Sequence, residues 1–108
     1  MTSRLVVHRW ENLDLNKITE MVSRKIVSAN SQVVSQVYLK RGAHIPSYIS
    51  EGDRSIYVLQ GLLRMVVDGQ EIVIGEGEIV QIPVCAIRQA EALDDTFAIE
   101  FVNSVRPA

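Results

Sequence analysis

Apolar and polar positions alternate along most of this chain. In "LLRMVV" (62–67), Leu63, Met65 and Val67 share one parity and Arg64 takes the other. The runs "SQVVSQVYLKRG" (31–42) and "SIYVLQGLLRMVVDGQEIVIGEGEIVQIP" (55–83) are rich in Val, Ile and Tyr. A period of two with that enrichment predicts strands whose alternate side chains face a core. Met65 is then core filling, while Gln60 and Arg64 meet solvent or a second subunit. Asp68-Gly69, between "LLRMVV" and "QEIVI", predicts a two-residue hairpin, because both turn positions need positive φ and this pair tolerates it. Gly61, Gly75 and Gly77 punctuate the neighbouring turns. Only "LDLNKITEMVSRKIV" (13–27) admits a helix, and its part "MVSRKIVS" admits a strand equally well. Many short antiparallel strands at this length predict an all-β sandwich or barrel, which closes edges that would otherwise aggregate.

With 108 residues the chain can build one core, so a single domain is expected. Apolar residues at 47% against 22% charged are the balance of a folded globular protein. Eleven basic and thirteen acidic residues give a formal charge of -2 with no basic block, which argues against a nucleic-acid partner. The opening "MTSRLVVHRW" is too short in apolar residues for a secretory core, and no stretch approaches a membrane span. A cytoplasmic protein with no membrane partner is expected. The lone Cys85 has no disulfide partner and reads as a small buried thiol.

From Gly42 to Pro83 the sequence resembles the cupins, whose first motif is G-x5-H-x-H-x3-4-E-x6-G and whose second is G-x5-P-x-G-x2-H-x3-N. Gly42, Pro46, Gly61, Gly69, Gly77 and Pro83 fall in register without an insertion, and weaker similarity runs from Trp10 to Arg106. The resemblance implies a double-stranded β-helix, the cupin jelly-roll barrel, as one domain over 1–108 with its core at about 30–103. Within the family the chain is most similar to the small cupins that act on unsaturated uronates in pectin breakdown.

At the motif's metal-ligand positions the chain departs from the family. The two histidines fall on Tyr48 and Ser50, the glutamate on Arg54 and the second motif's histidine on Arg88. A guanidinium has five donors, no free lone pair and a permanent charge, so neither a metal nor another cofactor is expected. Strand alternation puts Tyr48, Ser50 and Arg54 on one face, which the resemblance implies is the barrel interior, and Arg88 joins them. Two arginines, a hydroxyl and a phenol suit a carboxylate or phosphate, which guanidinium binds through paired hydrogen bonds. In the uronate-processing cupins an acid, an aromatic and an arginine also line the pocket; by resemblance they fall on Glu100, Val102 and Arg106, so the aromatic is lost. Glu100 reads either as a general base or as the counter-ion of Arg54 or Arg88. His44 shares parity with Tyr48, although a lone histidine on a strand is more often packed or at the surface.

Three functions fit this set of residues. One is a binding module for a small acidic metabolite, a sugar acid or keto acid held by Arg54 and Arg88 with Ser50 and Arg106. Another is an isomerase or lyase acting on an unsaturated uronate or related sugar, with Tyr48 or Glu100 moving a proton. The third is a structural barrel without a ligand. Leu62 and Val66, on the outward parity of "LLRMVV", predict a homodimer.

Overall fold

The structure, a computed structural model, describes residues 5–104. A 3-10 turn at Trp10–Asn12 precedes the strands β1 (Asn16–Lys17), β2 (Val22–Ser28), β3 (Gln32–Leu39), β4 (His44–Ile49) and β5 (Gly52–Gln60). They are followed by β6 (Leu62–Val67), β7 (Gln70–Gly75), β8 (Ile79–Ile82), β9 (Ile87–Ala92) and β10 (Thr96–Ser104). Every pairing is antiparallel. A six-stranded sheet in the order β1-β2-β3-β10-β5-β8 faces a four-stranded sheet in the order β4-β9-β6-β7, giving the expected all-β jelly-roll barrel.

The inner faces meet in a core built by strand parity. Ile56, Val58, Ile82 and Ala98 of the larger sheet pack with Leu63, Met65, Ile74 and Ala90 of the smaller one. Met65 and Val58 are wholly buried, as alternation requires of residues on the inward row. The β6–β7 hairpin turns at Asp68 (φ 48°) and Gly69 (φ 81°), the two positive values that Asp-Gly predicts.

The ambiguous stretch at 13–27 is strand. Val22 pairs with Leu39 and is buried with it, so the apolar positions of β2 are satisfied by the sheet rather than by a helical stripe. Thr19 Oγ1 accepts the backbone N–H groups of Met21 and Val22, fixing the turn that leads into β2. β1 and β2 thus extend the larger sheet on the N-terminal side of the 30–103 region. Among the described residues, no helix is long and apolar enough to cross a membrane.

Candidate functional site

Between the sheets lies a cavity of about 370 Å³, lined by Ile18, Thr19, Val22, Arg24, Val37, His44, Ile45, Pro46, Tyr48, Arg54, Arg88 and Glu100. Its inner wall is charged. Arg54 on β5 and Glu100 on β10 occupy inward rows of neighbouring strands, and Arg54 Nη1 donates to Glu100 Oε1. Arg88, opposite Tyr48 across β9 and β4, brings Nη2 within 3.6 Å of Glu100 Oε2. That separation is an ion-pair distance, longer than a hydrogen bond.

The Tyr48 ring covers both cations, with Arg88 Cζ at 4.8 Å and Arg54 Cζ at 5.7 Å from its centroid. Arg88 is only 3% exposed. Burial pulls its pKa down from the ordinary arginine value; Glu100 and then Tyr48 push it back up, and Arg54 lowers it further. Tyr48 acts on Arg88 through charge and a side-chain hydrogen bond as well as through its ring, while Nε and Nη1 of Arg88 are buried without a hydrogen-bond partner. Arg54 Nε is in the same condition.

Tyr48, Arg54, Arg88 and Glu100 therefore meet in one cluster. Ser50 does not join them: it follows the end of β4, is wholly buried, and spends its hydroxyl on the Gly52 carbonyl at 2.7 Å. Ser50 lies past the last residue of β4, where the turn into β5 decides its direction; the strand itself also contains a bulge. Ile45 opposes Ala90 and Tyr48 opposes Arg88, three steps on one strand against two on the other. The extra residue falls at Pro46-Ser47, where proline lacks the N–H a ladder would use. The bulge turns Tyr48 inward and leaves His44 on the other row, opposite Glu91. His44 still reaches the cavity rim, with Nδ1 donating to the Ala90 carbonyl at 3.1 Å. Arg106 lies outside the described residues.

Cys85 is exposed rather than buried. Its φ of 71° explains the family's glycine at that place, since the turn uses a left-handed conformation. Sequence reasoning missed Arg24 as a cavity residue. Its signal was the inward parity of "MVSRKIVS", which counts only once that stretch is taken as a strand. A wider concavity of about 840 Å³ runs past Lys40, Arg41, Asp94 and Asp95 on the far side of β3 and β10. There Asp95 already accepts the Arg41 N–H, whereas the 370 Å³ cavity holds buried donors without acceptors, and we take that one as the site.

The residues at the family's metal-ligand positions do not suit a cation. Two are guanidiniums, and Ser50 is committed to Gly52. Among the described residues, no group of three or more His, Cys, Asp or Glu side chains could hold a metal ion.

The cupin domain family matches residues 35–104, well over half of the chain. No curated protein sequence matches. Solved structures do: KdgF from Halomonas sp. is 23% identical with a TM-score of 0.82, covering 97% of this chain and 96% of that one. An RmlC-like cupin from Shewanella frigidimarina is 18% identical with a TM-score of 0.86, over 98% and 96% of the two chains. A salicylate 1,2-dioxygenase from Pseudoaminobacter salicylatoxidans, in adducts with gentisate, is 11% identical with a TM-score of 0.75; 82% of this chain matches 26% of that one. At these identities the likeness is one of fold. The matched family, the two-sheet barrel and the glycine and proline frame agree, and the chain belongs to the cupin family.

Proposed function

We propose that this cupin binds a small acidic metabolite, a sugar acid or keto acid, inside the barrel without a metal, through the guanidiniums of Arg54 and Arg88. One observation carries the reading: the buried Arg88 and the half-buried Arg54 share a single carboxylate, and three of their buried nitrogens have no acceptor. The cluster is left with one surplus positive charge. A ligand carboxylate supplies the missing charge and the missing acceptors together, which neutral ligands cannot do. Arg54 holds Glu100, so Arg88 is the spare cation. The Tyr48 ring lies within cation–π range of both guanidiniums and holds them beside each other.

Arg88→Lys is expected to weaken binding despite keeping the charge, because an ammonium lacks the flat two-point geometry. Arg88→Gln should weaken it further, by about tenfold or more, since a charged hydrogen bond is worth roughly 1.5 to 3 kcal/mol. Thermal melts in the presence of chelator, with a panel of uronates, keto acids and phosphosugars, read this out. The reading fails if no member shifts the wild-type melt while Arg88→Gln and Glu100→Gln prove strongly coupled in a double-mutant cycle. Coupling without binding is the signature of an internal ion pair.

Turnover of an unsaturated uronate, by isomerisation or elimination, is a second reading, favoured by Tyr48 and Glu100 lining one cavity. It requires Glu100 to release a guanidinium before accepting a proton. Loss of a uronate's absorbance on incubation with the protein would establish it.

A further inference from the structure

Arg24 is a third cation on the same cavity and takes no part in the cluster described above. It lies on β2, exposed at the mouth, in register with Val37. Among the described residues it has no ion pair, and Glu100 is the only acid lining the cavity. The lining therefore carries three guanidiniums against one carboxylate, a surplus of two positive charges. These charges are spaced apart: β3 separates β2 from β10, and Arg24 is level with Ala98, two residues along β10 from Glu100, so the Arg24 and Glu100 backbones stand about 12 Å apart on the sheet. Val22, Val37 and Ile45 fill the lining beside them with apolar surface.

We propose that the ligand is a dicarboxylate, with one carboxylate on the Arg54 and Arg88 edges and the other on Arg24, and that Arg24 selects for it. This rests on the anion-binding reading above and adds the ligand's second charged end. The charges favour two carboxylates over a carboxylate with a phosphate. Two carboxylates balance the surplus of two, while a doubly charged phosphate in place of one would leave the filled site negative. The apolar band suits a short hydrocarbon link, and a volume of about 370 Å³ is at the small end for metabolite sites.

Titration calorimetry at low salt tests this with succinate, glutarate and adipate against butyrate and valerate, on the wild type, Arg24→Gln and Arg88→Gln. Because Arg24 is exposed, its contact is screened, and the expected preference of the wild type for its best dicarboxylate over the monocarboxylates is roughly fivefold. Arg24→Gln should abolish that preference by weakening the dicarboxylates more than the monocarboxylates, with a wild-type melting temperature confirming the fold. Equal wild-type affinity for the two series overturns the dicarboxylate assignment, as does an equal loss for both in Arg24→Gln. In either case monocarboxylate binding that disappears in Arg88→Gln leaves the anion site standing. If no carboxylate binds the wild type, both proposals fall.

Discussion

Arg88 is a guanidinium held almost entirely out of water, with its nearest acid beyond hydrogen-bond range. Such a group costs stability unless its charge and donors are answered. Its lowered pKa carries the same information: the native state holds this proton less tightly than the unfolded chain, so the penalty is present below the folded value and eases only at strongly alkaline pH. Around neutrality the cation is permanent, and only an anion relieves it. Glu100→Ala removes the one resident anion and opens space beside both arginines. The expected cost is about 3 kcal/mol, a drop in Tm on the order of 12 to 24 °C for a domain of this size. Millimolar acetate should restore part of that loss in Glu100→Ala, with a larger shift than the same acetate gives the wild type, as read by calorimetric melts. The grouping of Tyr48, Arg54, Arg88 and Glu100 was legible from motif register. The unpaired donors were not, because hydrogen-bond satisfaction depends on distances that spacing does not encode.

At the scale of elements, alternation reads correctly wherever a strand is regular and fails where backbone irregularity changes the count. The Leu63, Met65 and Val67 row lies inward as expected, whereas the bulge at Pro46-Ser47 separates His44 from Tyr48. Ser50 and Cys85 were misjudged for a related reason. Both lie where strands give way to turns, and turn geometry decides where a side chain goes. β2 was ambiguous because its apolar residues fit two periods, and only pairing with β3 selects one. Glycines in these turns are not equivalent. At Gly61 (φ 101°) a Cβ would press on the Asp95 carbonyl and stand 2.7 Å from Thr96 Cα, while at Gly69 (φ 81°) nothing lies within 4 Å. Gly61→Ala is expected to cost roughly 3 kcal/mol, from strain and overpacking together. Gly69→Ala should cost about 1 kcal/mol, from strain alone. Urea unfolding of the two variants checks the difference, and equal costs would contradict this account.

Both outer faces of the molecule expose apolar side chains, Leu62, Val73, Ile49 and Ile87 among them on the four-stranded sheet. Around Leu62 and Val66 the four-stranded sheet carries Arg64, paired with Glu71 and Glu91. The six-stranded sheet exposes aromatic surface with no such ion pair around it among the described residues: Tyr38, stacked on Phe97 at 4.8 Å, with Phe101 and Ile79 nearby. An antiparallel sheet with apolar side chains on its outer face has reason to cover them. A homodimer through this second face is therefore expected, with light scattering at twice the 12.1 kDa chain mass and Phe101→Glu giving the monomer. Monomeric wild type at micromolar concentration would contradict it. Chain order adds a consequence for how the molecule is made. β10 sits between β3 and β5, yet it follows every other described strand along the chain. During synthesis the larger sheet stays split until residues 96–104 leave the ribosome, and Glu100 travels with them. Until then Arg54 on β5 and Arg88 on β9 face water from two sheets not yet closed on each other, and the burial of charge is deferred to the last step of closure, when the counter-ion arrives with β10.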